Sequence, residues 1–172
     1  MITGTAAGTT GTTARKGGDM SSVKDHMNPY VLTARPDQTL EQAAQAMVER
    51  KVGAAVVVTQ GTVVGIITER DVMKAVARGV DVDTTAVSDV MTREVQTVAP
   101  ETSLHEAARL MATRWIRHLP VVSSGAVVGM VSQRDLVGVL AALAKEPDAV
   151  ELAADELVRE RRLARIEHGD LD

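Results

Sequence analysis

Cysteine, aromatic residues and long apolar runs are missing or scarce in this sequence. The chain of 172 residues contains no cysteine, and aromatic residues make up 1% of it. Without cysteine there is no disulfide, no thiolate metal ligand and no cysteine nucleophile. The longest apolar runs, such as 136–144, are much shorter than the about 20 residues that a membrane-spanning helix needs. We therefore expect a core of Val, Leu, Ile, Met and Ala, and no membrane insertion.

The part of the chain that is expected to fold carries no excess of positive or negative charge. The formal net charge is −4, and it resides in the acidic residues 145–172. A basic surface and stacking aromatics are both missing, so nucleic acid is not an expected partner. The first residues lack the apolar core of a secretory signal. We therefore expect a cytoplasmic protein.

The most informative feature is a stretch that occurs twice. The first copy, at 63–71, reads VVGIITERD, and the second, at 127–135, reads VVGMVSQRD. The same spacing also aligns Met27 with Met91, and the match extends over both units without a gap. A gap-free match of this length indicates an internal duplication.

Both copies predict the order strand, helix, strand, strand, helix. In the first unit the predicted elements are a strand at 31–33, a helix from Leu40 to about Arg50, strands at 54–59 and 62–68, and a helix from Glu69 to about Arg78. In the second unit they are a strand at 95–97, a helix from Ser103 to about Arg114, strands at 118–122 and 126–132, and a helix at 133–144. One unit alone is too small to bury much core. We therefore predict an α/β (α+β) fold in which two tandem β-α-β-β-α repeats pack as a pseudo-twofold pair.

The rest of the chain frames the two repeats. We predict a disordered leader at 1–20, the first repeat at 21–79, a linker at 80–86, the second repeat at 87–144 and a charged C-terminal helix or tail at 145–172. The leader consists mostly of Thr, Gly and Ala without a period. The C-terminal helix either rests on the repeats or on a partner subunit, or docks an effector. Its interspersed acids argue against contact with DNA.

The end of the duplicated stretch carries the candidate chemistry. Thr68 and Ser132 are placed at helix starts, where free backbone N–H groups favour an anion such as phosphate. Asp71 and Asp135 follow one turn later and can accept hydrogen bonds from a ribose diol. The same pattern is also a capping box, in which the Asp accepts a bond from the cap N–H without any ligand. The residues alone leave both interpretations open.

The duplicated Gly-apolar-apolar-Thr/Ser-x-x-Asp pattern resembles the signature of the cystathionine-β-synthase (CBS) domain. The Val-x-Asp-x-Met openings at 23–27 and 87–91 and the IRHLPVV block at 116–122 are similar to the same family. The resemblance covers about residues 21–144. Two such repeats resemble a Bateman module, which in this family is a regulatory unit that binds adenosine-containing ligands in the clefts between the repeats.

The resemblance also implies which residues would bind the ligand. Thr68 and Ser132 would contact phosphate or ribose, and Asp71 and Asp135 would hold the ribose hydroxyls. Adenine would lie against backbone and small side chains in both repeats, at Thr33, Ala34, Ala54, Ala55, Thr97, Val98, His118 and Leu119.

The two clefts are not expected to be equal. Arg117 and His118 stand where the family often places basic phosphate contacts, whereas the first repeat has Gly53 and Ala54 there. We therefore expect the cleft that combines Asp71 with Arg117 and His118 to be the better nucleotide site. Arg70 and Arg134, next to each Asp, either add phosphate contacts or stay solvated.

The resemblance implies a regulatory sensor, for example of cellular energy, that binds AMP, ADP, ATP, S-adenosylmethionine or an NAD-type dinucleotide and requires no cofactor. We expect a homodimer that forms through the repeat helices, with Trp115 on a helix stripe at the interface, and an effector protein of unknown identity. The alternative is a dimeric scaffold that binds no ligand. The sequence carries no Ser-His-Asp, phosphate-loop or metal constellation, so we expect neither an enzyme nor a metal site.

Overall fold

The structure, a computed structural model, describes residues 21–143. The predicted leader and the predicted C-terminal helix lie outside these residues. The first repeat contains β1 (Thr33–Ala34), α1 (Leu40–Arg50), β2 (Ala54–Thr59), β3 (Thr62–Thr68) and α2 (Glu69–Ala77). The second contains α3 (Val87–Val90), α4 (Leu104–Arg114), β4 (His118–Ser123), β5 (Ala126–Ser132) and α5 (Gln133–Leu143). The described residues thus confirm the tandem α/β (α+β) repeats.

Each repeat is built on an antiparallel hairpin with a tight turn. β2 pairs with β3, and β4 pairs with β5. Gln60 and Gly61 join the first pair with φ values of 50° and 80°, and Ser124 and Gly125 join the second with 50° and 82°. Two consecutive residues with positive φ form the mirror-image turn whose twist matches that of a hairpin. The hairpin predicted at Gln60-Gly61 is confirmed.

The first strand of each repeat is shorter than predicted. β1 covers Thr33–Ala34 instead of 31–33 and pairs in parallel with β2. The strand predicted at 95–97 is wrong: in the second repeat Val98 alone bridges Val121. In the first repeat the N–H of Val56 donates to the Leu32 carbonyl at 2.9 Å. Pro120 occupies the position of Val56 in the second repeat and has no N–H to donate, so the ladder stops short.

The two repeats exchange their opening segments. A 3-10 turn at Val23–Asp25 begins the first repeat, yet Val23 is buried in the core of the second. Conversely, Val87 and Met91 begin the second repeat and are buried in the core of the first. Neither repeat therefore completes its own core, which interlocks the pair.

Backbone hydrogen bonds hold both exchanged segments in place. The N–H and carbonyl of Thr92 pair with those of Ile66, each at 2.9 Å. Asn28 pairs in the same way with Met130, at 2.8 and 2.9 Å. The segment after Thr92 lies beside the start of α2, where it forms part of a cleft wall. Among residues 21–143, no helix is long and apolar enough to cross a membrane.

Candidate functional site

The start of α2 is a reciprocal capping box. Thr68 adopts an extended conformation, and its Oγ1 accepts the N–H of Asp71 at 3.3 Å. Oδ2 of Asp71 accepts both the Thr68 N–H at 2.9 Å and the Thr68 hydroxyl at 2.6 Å. These bonds fix the direction of the Asp71 carboxylate and occupy Oδ2. Oδ1 of Asp71 then remains to accept from a ligand.

The start of α5 repeats this arrangement. Oδ2 of Asp135 accepts the N–H and the hydroxyl of Ser132, both at 2.7 Å. The capping interpretation of both motifs is therefore correct as a description of local structure. It does not compete with ligand binding, because the cap orients the same carboxylate that would meet a ribose diol.

A cleft of about 180 Å³ opens beside the α2 cap, and we call it the Asp71 cleft. Both repeats contribute to it. Its walls are the end of β3 and the start of α2, the exchanged segment after α3, and the connection from α4 to β4. The lining residues are Ile66, Thr68, Arg70, Asp71, Lys74, Thr92, Glu94, Val95, Gln96, Trp115, Ile116, Arg117 and His118.

The positive charge of the Asp71 cleft comes from three side chains. Arg70 and Lys74 project from α2, and Arg117 reaches in from the second repeat. Nη2 of Arg117 donates to Oε1 of Glu69 at 2.8 Å, and both side chains are partly exposed. This ion pair holds Arg117 at the junction of the two repeats, close to the start of α2.

His118 contributes a neutral imidazole rather than a charge at neutral pH. Burial lowers the pKa of His118, and the neighbouring Arg117 lowers it further. The carboxylates of Glu69 and Asp135 oppose this effect without overcoming it. A neutral imidazole can donate one hydrogen bond and accept another. His118 is therefore a neutral hydrogen-bonding group of the cleft and does not add to its positive charge.

The structure brings together four of the residues that the sequence nominates. Thr68 and Asp71 of the first repeat face the same cleft as Arg117 and His118 of the second. Ser132 and Asp135 stand at the matching helix start of the second repeat and do not line this cleft. This is the spatial grouping expected for the better site, although its ligand-binding role stays a prediction.

The remaining nominated residues do not line the Asp71 cleft. In the second repeat, Val95 and Gln96 occupy the wall where Thr97 and Val98 were expected. The side chains of Val98 and Leu119 are buried in the core. In the first repeat, Ala34, Ala54 and Ala55 are buried and Thr33 is exposed. The buried members of this set could meet a base only through their backbone atoms.

Several lining residues are absent from the sequence-based selection. Lys74, Glu94 and Gln96 carry polar groups into the cleft, and Trp115 supplies its aromatic wall. Lys74 could have been found from the sequence, since it follows Arg70 by four residues on one helix face. Glu94 and Gln96 could not, because they enter the cleft through the exchange of the opening segments.

Trp115 does not continue the apolar stripe of α4. Trp115 follows the last helical residue and has a left-handed conformation, with φ of 55°. Its backbone N–H donates to the Met111 carbonyl. This change of backbone direction turns the indole away from the stripe and into the Asp71 cleft. Its expected place on a helix stripe is therefore wrong, because the helix has already ended.

A second depression, of about 390 Å³, lies on the helical side of the repeats. Its lining includes Lys51, Glu69 and Arg134, but neither capping Asp. Arg134 thus points away from the Asp71 cleft, in contrast to Arg70. Within 21–143, no three His, Asp or Glu side chains are grouped closely enough to hold a metal ion.

Comparisons with known proteins agree with this architecture. The family model of the CBS domain matches residues 23–78 and 87–142. The CBS domain-containing protein YhcV of Bacillus subtilis is 44% identical over 118 residues, which cover 68% of this chain and 84% of that protein. The chain therefore belongs to the CBS domain family, with two CBS domains in tandem.

A solved relative shows what such a pair can hold. The CBS domain pair of protein MJ0100 was solved in complex with 5′-methylthioadenosine and S-adenosyl-L-methionine. Its fold matches this one with a TM-score of 0.67 at 27% identity, over 72% of this chain and 98% of that chain. CBS pairs are regulatory ligand-binding modules.

Similarity also extends to an enzyme. Inosine-5′-monophosphate dehydrogenase of Korarchaeum cryptofilum is 36% identical over 107 residues, which cover 62% of this chain but 21% of the enzyme. The match is confined to the CBS part of that protein. The similarity to that enzyme therefore carries no catalytic assignment for this chain.

Proposed function

We propose that this protein is a regulatory module that binds an adenosine-containing ligand in the Asp71 cleft and passes the change on through a dimer or a partner protein. The observation that supports it is the meeting of the Thr68–Asp71 cap from one repeat with Arg117 and His118 from the other. Asp71, Arg70 and Lys74 come from the first repeat, whereas Arg117 and His118 come from the second, so both repeats supply groups for the ligand. Binding would therefore depend on how the repeats are arranged.

The ligand chemistry follows from the groups that line the cleft. Oδ1 of Asp71 would accept from the ribose hydroxyls, while Oδ2 stays engaged in the cap. Arg70, Lys74 and Arg117 would attract a phosphate or another anionic group near the start of α2. AMP, ADP, ATP, S-adenosylmethionine and NAD are the candidates, and energy sensing is the role if the ligand is an adenine nucleotide. No cofactor is needed for this function.

Signal transmission would use the exchanged segment. Thr92 is paired with Ile66 through the backbone, and the residues after it line the cleft. A ligand that binds one arrangement of this segment more tightly than another shifts the population toward it. The shift would then reach the outer surface of the pair.

The homodimer is part of the proposal, and exposed apolar side chains on the helices support it. Val48 on α1, Met73 and Val76 on α2, and Val137 on α5 are all more than half exposed. Clustered apolar side chains on the surface are typical of association sites. Analytical ultracentrifugation should show a dimer that dissociates in a Met73→Lys/Val76→Lys variant. A monomeric wild type would remove this part of the proposal. The proposed place of action is the cytoplasm.

The test of ligand binding is a thermal-shift screen with AMP, ADP, ATP, S-adenosylmethionine, NAD and GTP as the non-adenine control. A ligand at 100 times its Kd adds about 2.7 kcal/mol to the free energy of unfolding. We expect one adenosine ligand to raise the melting midpoint of the wild type and of Asp135→Ala, but not of Asp71→Ala. Asp135→Ala is the matched control, since it removes the same cap from the other repeat.

The alternative is a dimeric scaffold with an empty cleft. Its support is that each capping Asp already accepts two hydrogen bonds from its cap residue without a ligand. It would be favoured if none of the six compounds shifts the midpoint at millimolar concentration, while both Asp variants only lower it.

A further inference from the structure

Trp115 is the least expected residue of the Asp71 cleft. It is the only tryptophan of a chain in which aromatic residues make up 1%. Trp115 forms part of the cleft wall next to Ile116, and Asp71 lines the same cleft. It is half-buried, and it is not among the side chains that build the core of the second repeat.

The backbone at this position does not call for a bulky side chain. Trp115 has φ of 55°, in the left-handed region that glycine and asparagine adopt most readily. Lys51 takes the matching position of the first repeat with φ of 54°. The left-handed turn is thus a property of the repeat, which forms with a flexible side chain as well. A bulky residue kept in a sparsely populated backbone region points to a role for its side chain.

The neighbours of Trp115 suit a planar heteroaromatic group. Ile66 and Ile116 provide apolar surface in the same cleft, whereas Thr68 and Asp71 provide the polar end. An indole offers a flat face on which any nucleobase can stack. The cleft thereby has one wall for a base and another for a sugar and its phosphate, as a nucleotide ligand requires.

We propose that the indole of Trp115 is the surface on which the base of the ligand stacks, so that it selects nucleosides over sugar phosphates. This inference rests on the proposed function and assigns the base-recognition element of the same cleft. Lys51 cannot serve this purpose in the first repeat. The first repeat therefore has no equivalent of this stacking surface at the matching position.

The test compares AMP with ribose 5-phosphate, which has the diol and the phosphate but lacks the base. The affinity of both compounds is measured by calorimetry or NMR titration for the wild type, Trp115→Lys and Trp115→Gly. Trp115→Lys copies the residue of the first repeat, and Trp115→Gly suits the left-handed backbone, so both variants should fold. Lys51→Gly is the matched control in the other repeat.

We expect both Trp115 variants to bind AMP about tenfold more weakly or worse, which corresponds to the loss of one base–aromatic stack. The affinity of Trp115→Gly for ribose 5-phosphate should stay unchanged. Trp115→Lys adds a positive charge, so it should bind ribose 5-phosphate at least as tightly as the wild type. Lys51→Gly should alter neither affinity. In the wild type, AMP but not ribose 5-phosphate should quench or shift the tryptophan fluorescence. Since the chain has one tryptophan, that signal reports on this position alone.

Three outcomes would overturn the inference. The variants could bind AMP as tightly as the wild type, or they could lose AMP and ribose 5-phosphate in parallel, which would indicate a structural role. The wild type could also bind AMP no more tightly than ribose 5-phosphate, including no binding of either. The proposed function would survive any of these if another adenosine ligand stabilises the wild type and Asp71→Ala abolishes the effect.

Discussion

Nη2 of Arg117 lies 2.8 Å from Oε1 of Glu69 and joins the start of β4 in the second repeat to the start of α2 in the first. The two side chains are 43% and 57% exposed. Pairs this exposed contribute at most about 1 kcal/mol to stability. The bond therefore contributes little to holding the repeats together, and it keeps the Arg117 guanidinium beside the start of α2.

We accordingly expect Glu69→Gln to leave the melting midpoint nearly unchanged and to tighten the binding of ATP. Without its carboxylate partner, Arg117 is free to contact phosphate, and the gain should reach at most about fivefold. Calorimetric titration with ATP and with uncharged adenosine measures the effect, which should be confined to ATP. Glu49→Gln is the control, because it removes the same charge from an exposed site on α1. Equal gains in both variants would indicate a general effect of net charge.

Removal of either capping carboxylate should destabilise the fold without any ligand present. Oδ2 of Asp71 and of Asp135 each accept two hydrogen bonds from the preceding cap residue. Loss of an N-terminal cap costs about 0.5–2 kcal/mol. We expect Asp71→Ala and Asp135→Ala to lower the free energy of unfolding by similar amounts in urea denaturation. A much larger cost for one of them would show that its carboxylate has a further structural partner.

Gly65 is required because the exchanged segment passes directly over β3. A Cβ at Gly65 would overlap Sδ of Met91 and would lie 3.2 Å from the Thr92 carbonyl oxygen. Overpacking of this kind costs about 1–3 kcal/mol, so Gly65→Ala should lower the free energy of unfolding by that amount. Gly129→Ala should act in the same way through Met27, which packs on it from the first repeat.

The matched control substitution should change the free energy of unfolding in the opposite direction. Gly138 lies within α5, and apart from its chain neighbours and the helix backbone no atom of residues 21–143 lies within 4 Å of where its Cβ would be. Gly138→Ala should therefore stabilise the protein by about 0.5–1 kcal/mol, since alanine restricts the unfolded chain. Chemical denaturation of the three variants checks both signs. If Gly65→Ala were neutral, the segment at Met91 would have to be able to move away from β3 at no cost.

Acidification should lower the free energy of unfolding through the half-buried imidazole of His118. Its pKa in the folded state is lowered, chiefly by burial and then by Arg117, from the ordinary value of 6.5. As the pH falls below 6.5, the unfolded chain takes up a proton that folded His118 does not. The free energy of unfolding should therefore decrease with falling pH in this window, until the folded imidazole is protonated too.

Denaturation at pH 7.5 and at mildly acidic pH measures this loss in the wild type and in His118→Gln. The groups that face His118 are Arg117, Arg134, Glu69 and Asp135. The variant should be less sensitive to pH, because its amide does not titrate. His26→Gln is the control, because it removes an imidazole that lies outside the Asp71 cleft. An unchanged slope in His118→Gln would assign the effect to other groups.

Local structure was largely predictable because its signals lie close together in the sequence. The caps of α2 and α5 depend on pairs three residues apart, and the hairpin turn depends on Gln60 and Gly61. Prediction failed at the first strand of the second repeat. There the deciding residue, Pro120, lies on the neighbouring strand and removes a donor from the ladder.

Part of the candidate site could be predicted from the sequence. Thr68 and Asp71 belong to one helix start, and the resemblance to CBS domains drew attention to Arg117 and His118. Trp115 was missed because an apolar residue at helical spacing indicates a stripe, whereas its backbone has already left the helix. Gln96 was missed because its segment packs against the other repeat.

The sequence by itself thus determined the duplication, the order of the elements and the two capped helix starts, because each rests on residues near one another in the chain. Only the tertiary structure decided that the opening segments cross, that Glu69 and Arg117 meet although they are 48 residues apart, and that the indole faces the same cleft as the Asp71 carboxylate. The physical reason is that each repeat leaves part of its core uncovered. The burial of that surface against the other repeat sets which side chains share a cleft.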